Sequence, residues 1–104
     1  MSTRCLIAIE NPDKTYDVIY CHFDGYVRGG VGEELFKNYK ERRKVENLIS
    51  LGNRRQLVET APEDELYNEP YTKYNNLDEL LEELENMIEY IYIFDLNDKW
   101  MTIR

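Results

Sequence analysis

One histidine, two cysteines and three prolines in 104 residues leave little material for the chemistries that depend on these types. A hydrolytic zinc centre needs three protein ligands and a closed structural site four, and His22, Cys5 and Cys21 form no dense cluster that would supply them. There is no nucleophile-elbow motif and no phosphate-loop motif. No stretch approaches the roughly 20 apolar residues that cross a bilayer. Met1-Ser2-Thr3-Arg4-Cys5 has neither the apolar run nor the small-residue cleavage site of a secretory signal. These absences set the expectation of a non-membrane protein working in the cytoplasm, without cofactor or metal and without catalytic residues. Both cysteines lie in apolar alternating segments, where a thiol serves as a small buried hydrophobe in a reducing compartment; a cross-strand disulfide is the minority alternative.

What is abundant is apolar and acidic. Hydrophobic residues make up 42% of the chain and aromatics 12%, nine of them tyrosines, which suffices for one packed core over residues 1–104 and is too much for a disordered chain. The net charge of −8 conceals a split. Residues 37–55 carry seven bases against Glu41 and Glu46, a balance of +5, whereas residues 56–98 carry thirteen acids and only Lys73, a balance of −12. Such asymmetry marks an interaction surface or, more simply, two segments that face each other in the fold.

The periodicities predict an α+β fold, a small and mostly antiparallel sheet built from an N-terminal and a C-terminal hairpin and packed with about three helices. Residues 4–10 are apolar on both alternating faces and suit a central strand. Turn chemistry at Asn11-Pro12-Asp13-Lys14 leads to a second strand over 16–23. From Val31 the period becomes helical, but Val31, Leu35, Phe36 and Tyr39 lie on one side and Val45, Leu48, Ile49 and Leu51 on another, so the helix must break within 40–44. Gly52-Asn53 closes the second piece. Residues 53–75, with Pro62, Pro70, Leu57-Val58 and the acidic Glu63-Asp64-Glu65, read as a long loop with an edge strand at 71–74. Asn76 caps a third helix, with Glu79 in capping-box position and a stripe of Leu77, Leu80, Leu81, Leu84 and Ile88. A hairpin of strands 89–95 and 100–103 ends the chain.

Three constellations bear on function. His22 and Asp24 would share a strand face and invite an acid/base or metal-dependent hydrolase reading, set against a structural one in which they fix the turn before the first helix. Tyr26, Arg28, Gly29 and Gly30 continue that turn into a helix N-terminus, an arrangement that can cradle an anionic ligand such as a signalling nucleotide. Glu33 and Glu34 in the first helical turn oppose this, and a tight turn that needs glycine is the alternative. The third helix carries Asp78, Glu79, Glu82, Glu83, Glu85 and Glu89 with i, i+3 and i+4 spacings. These spacings compare with the phosphate step of a nucleic-acid strand, so the face could imitate DNA or RNA; the plain reading is a solvated helix face.

The run Tyr20-Cys21-His22-Phe23-Asp24-Gly25-Tyr26, then Gly30-Val31-Gly32, Leu35, Tyr39, Val45, Leu48-Ile49 and Gly52, resembles small proteins encoded by bacteriophages and prophages. Their pattern is YCHWDGYP, a Val-Gly step opening a helix, and a leucine-rich segment ending in Leu-Gly. Their C-terminal segment resembles Glu89–Asp95 with the following Trp100. This chain departs at Phe23, where tryptophan is usual, at Val27, where proline is usual, and in its Arg28-Gly29 step. The resemblance implies a phage accessory protein in the host bacterial cytoplasm, a class associated with disarming host defences. Together with the acidic segment it sets the leading expectation: non-catalytic, anti-CRISPR-like binding of a host protein, the acidic helix occupying a nucleic-acid-binding groove. Direct binding of nucleic acid is not expected of so acidic a chain, and a monomer and a dimer are both left open.

Overall fold

The computed structural model describes residues 3–57, 67 and 69–104. β1 (Cys5–Glu10) and β2 (Tyr16–Cys21) form the first hairpin, in register Cys5 to Cys21 through Glu10 to Tyr16. Its turn is closed by Asn11 N–H donating to Thr15 O at 2.8 Å, and by Thr15 Oγ1 donating to Asp13 Oδ1 at 2.6 Å. Residues 5–9 are all buried, as their lack of any polar alternation requires of a strand covered on both faces. β3 (Thr72–Tyr74), β4 (Tyr90–Phe94) and β5 (Trp100–Ile103) complete a sheet of order β3-β2-β1-β4-β5. All neighbours are antiparallel except β1 and β4, whose parallel ladder joins the two hairpins.

α1 (Val31–Asn38) and α2 (Arg42–Ser50) cover one face of the sheet. The chain breaks between them at Tyr39 and Glu41, so that Val31 and Leu35 as well as Val45, Leu48 and Ile49 reach the same core with Cys5, Ile7, Ile9, Ile19, Tyr92 and Phe94. The other face is covered by α3 (Leu77–Leu81) and the 3-10 turn Glu82–Glu85, which place Leu80 and Ile88 over Leu6, Ala8, Val18, Ile91 and Ile93. The α+β architecture read from the sequence, two hairpins and three helices in a mostly antiparallel sheet, is the one found.

The break between α1 and α2 falls at residues 39–41 rather than within 40–44, and two further elements differ from their expected extent. β2 ends at Cys21 rather than Phe23, because the following amides leave β1 for residues 53–55: His22 N–H donates to Arg54 O at 3.2 Å and Phe23 N–H to Arg55 O at 2.8 Å. The third α-helix is five residues long instead of reaching Ile88. Its capping works as expected at Asn76, whose Oδ1 accepts from Glu79 N–H at 2.9 Å, while the Glu79 carboxylate accepts from Asn75 N–H. Beyond Leu81, however, acids follow one another with no basic residue at i+4 to offset their repulsion. The chain tightens to 3-10 geometry and then reverses at Met87, a non-glycine residue at φ 72°, which delivers Ile88 to the core. Of the segment expected as a long acidic loop, Val58, Pro62 and Glu63-Asp64-Glu65 lie outside the described residues.

Tyr92 links the hairpins to the helices. Its side chain is fully buried, and its hydroxyl donates to Gly25 O at 2.6 Å across 67 positions of sequence. Burial holds the phenol well above its usual pKa. Tyr92→Phe would keep the ring and leave Gly25 O buried without its donor. A loss of about 1–3 kcal/mol is expected, measured as a lower denaturation midpoint at unchanged m-value.

Candidate functional site

The His22–Gly32 segment is a turn folded across the end of the sheet. Gly25 N–H donates to Thr3 O at 2.9 Å, and a Cβ on Gly25 would fall 2.7 Å from that oxygen and 2.8 Å from the Cβ of Cys5. A Cβ on Gly32 would fall 2.9 Å from the Tyr92 ring and hydroxyl. These glycines are there for space. Gly29 alone in the turn needs glycine's conformational range, at φ 74°.

The first amides of α1 are already satisfied within this turn. Val31 N–H donates to Asp24 O (2.8 Å), Gly32 N–H to Tyr26 O (3.2 Å) and Glu33 N–H to Val27 O (2.8 Å). A phosphate at this helix N-terminus would find its donors taken. The adjoining hollow, about 270 Å³, is lined by Gly29 and Gly30 but also by the acidic residues Asp24, Glu33 and Glu34, and exposed Arg28 is not part of its lining. It is smaller than the roughly 300–1,000 Å³ of a typical ligand site and carries the wrong charge for an anion.

His22 and Asp24 are not partners, correcting the expectation of a shared strand face. With β2 ended at Cys21, the imidazole turns back to Tyr20, whose hydroxyl shares a 2.6 Å hydrogen bond with Nδ1, and its ring meets Phe23 edge-on at 4.5 Å. Burial raises the Tyr20 phenol's pKa. Asp24, exposed and at φ 58°, accepts instead from the Tyr26 hydroxyl at 3.2 Å, which raises the Tyr26 pKa. No group of three or more His, Cys, Asp or Glu side chains suited to a metal occurs among the described residues.

The acidic residues divide by role. Glu79 closes the cap of α3, and half-buried Glu83 lies beside Tyr74, whose phenol burial and this carboxylate push upward in pKa. Asp78, Glu82, Glu85 and Glu89 are exposed, and none forms an ion pair with a described residue. In 3-10 geometry residues i and i+3 eclipse, so Glu82 and Glu85 stack about 6 Å apart along the turn.

The basic stretch does not face these acids. α2 packs on the opposite side of the sheet, where Arg43 and Lys44 are exposed, Arg42 bonds Asp98 at 3.4 Å, and Lys44 lies 5.0 Å above the Tyr39 ring. The simpler reading of the charge split holds only where Arg42 meets Asp98; the bases of α2 and the acids of α3 lie on opposite sides of the sheet and do not face each other.

Arg54 has no counterpart in the sequence reading. It is 1% exposed, and its backbone bridges Cys21, so Tyr90, Cys5, Cys21 and Arg54 form one row across neighbouring strands. Its Nε and Nη2 find no hydrogen-bond partner among the described residues, and burial lowers its pKa from the ordinary arginine value. Membership in a basic run concealed it, since arginine is rarely buried. Cys5 and Cys21 are free thiols opposite one another; burial pushes Cys5 up in pKa, and its hydrogen bond to Cys21 draws the latter down.

No protein-family model matches the chain, and neither a curated protein nor a solved structure shows significant similarity to it.

If the imidazole is a fixture of the fold, His22→Ala and Tyr20→Phe each lose one part-buried hydrogen bond. Each is expected to cost about 1 kcal/mol. The double mutant should cost less than the sum, with a coupling of about 0.5–1 kcal/mol, read from chemical denaturation of the full cycle. Strict additivity would show the pair to be energetically unlinked.

Proposed function

We propose that this chain is a small phage-type accessory protein that works by non-catalytic binding, presenting the carboxylates around α3 to a basic, nucleic-acid-binding surface of a host protein. One observation carries this reading: Asp78, Glu82, Glu85 and Glu89 are exposed and without cationic partners among the described residues, on the side of the sheet opposite α2. Carboxylates that face one another without neutralisation raise the local field, attract a basic surface over about a Debye length and speed encounter with it. The eclipsed Glu82 and Glu85 present negative charge at a repeat close to that of a phosphate backbone. Counter-defence, by occupying the groove of a nucleic-acid-binding defence complex, is the role this surface would serve.

The nucleotide-binding reading of the glycine-rich turn has less support, because the α1 amides are consumed internally and the adjoining hollow is lined by acidic residues. The hydrolase reading has lost its pairing of His22 with Asp24.

Charge reversal tests the proposal on positions with no structural duty. Glu82, Glu85 and Glu89 changed together to lysine should weaken binding of the partner captured by the wild-type protein at least tenfold, about 1.4 kcal/mol. The loss should be largest at low ionic strength, and an oligonucleotide should compete with the wild-type protein for that partner. Arg43→Glu with Lys44→Glu, on the other side, should leave affinity intact. Unchanged affinity of the triple variant would remove the acidic side from the account.

A further inference from the structure

β5 is the last strand of its sheet, and no described residue pairs with its outer edge. The direction of its free backbone groups follows from the hairpin. Asp95 N–H donates to Lys99 O at 2.9 Å, which makes residues 95 and 99 a hydrogen-bonded pair. With the register Phe94 to Trp100 through Ile91 to Ile103, alternation sends the amides and carbonyls of Met101 and Ile103 toward β4 and those of Trp100 and Thr102 outward. The edge is held in place. Trp100 Nε1–H donates to Tyr39 O at 2.8 Å, and Arg42 Nη2 donates to Asp95 O at 3.0 Å while its Nε reaches Asp98 at 3.4 Å. Beside this edge Met101 is 43% exposed and Thr102 is exposed. The opposite edge, β3, offers only three residues.

We propose that β5 pairs antiparallel with β5 of a second copy, centred on Met101, to form a two-fold dimer with a continuous ten-stranded sheet. This register satisfies the outward groups, since Trp100 of each copy faces Thr102 of the other as a hydrogen-bonded pair. It also keeps like charges apart. Lys99 falls opposite Ile103, and Asp98 stands in the turn at φ 59° with its carboxylate on Arg42; a shift by one residue would oppose Lys99 to Arg104 and turn the outward amides out of phase. Paired side chains project to the same face of a sheet, so Met101 meets its symmetry mate on the α3 side, and the acidic surfaces of both copies lie on one side of the dimer. The dimer stands on the strand edge and does not depend on the proposed host partner; if that partner exists, the two acidic surfaces would engage it bivalently.

So short a strand pair buries less than the roughly 1,200 Å² of a stable complex, so the equilibrium should lie in the micromolar range or weaker. Sedimentation equilibrium of the full chain from low micromolar to near-millimolar concentration should show the average mass rising from one chain toward two. Thr102→Pro removes an outward N–H and leaves the ladder to β4 whole; it should remain monomeric with unchanged circular dichroism, while Thr102→Ala dimerises as wild type. Met101→Glu, which opposes two carboxylates at the two-fold axis, should weaken the dimer at least fivefold at low salt, and it decides the matter should the proline variant fail to fold. A wild type monomeric throughout, or a dimer undiminished by Met101→Glu or by a folded Thr102→Pro, would overturn the proposal.

Discussion

A buried hydroxyl in the middle of β4 holds the parts of this protein together. Tyr92 lies at the centre of the sheet, yet its phenol reaches the turn before α1, fitting against Gly32 and bonding Gly25 O. That contact brings the C-terminal hairpin, the start of β1 and the start of α1 into one body. The strict space around Gly32 follows from it, while that around Gly25 is set by Thr3 O and the Cβ of Cys5. The motif that looks most functional in the sequence is therefore engaged in building the fold: the first three α1 amides are bonded within the turn, and the hollow beside them is lined by Asp24, Glu33 and Glu34.

With that segment committed to structure, the sheet becomes a partition between charges. α2 puts its bases on one side and α3 its acids on the other, and no ion pair among the described residues joins the two helices. Keeping like charges together costs stability through self-repulsion, a cost visible in the early end of α3 and its passage into a 3-10 turn. Arg54 is a second local cost, a guanidinium buried in the row with Cys21, Cys5 and Tyr90, with two of its nitrogens unpaired among the described residues. Buried unpaired charge is expensive.

Much of the fold was legible because its elements are strongly patterned. Doubly apolar β1, the break between α1 and α2, the Asn76 cap and the C-terminal hairpin each rest on a local rule that tertiary contacts did not override. What was hidden is non-local. Nothing in residues 4–10 or 89–95 announces that they pair in parallel, and nothing in the run YCHF says that its last amides will leave β1 for Arg54 and Arg55. The leucine stripe of α3 has a helical period to Ile88, but periodicity is blind to repulsion among the acids between its apolar positions. The acidic surface could be read directly, since charge is a composition property; that the bases lie on the far side of the sheet could not, because it depends on which face each helix covers. His22 paired with a residue two positions earlier rather than two later, a choice settled by where the strand stopped.

Native-state hydrogen exchange on the α1 amides tests most directly whether the glycine-rich turn belongs to the core or is a separable site. The amides of Val31, Gly32 and Glu33 donate to carbonyls of the turn, and a turn locked by Tyr92 opens only when the sheet does. Their opening free energies should equal those of Ile7 and Ile93 in the centre of the sheet, and should fall with them in denaturant along a common line. Exchange of these three amides through a local opening several kcal/mol below the global value, with the sheet still protected, would contradict the account and return the turn to consideration as the working surface.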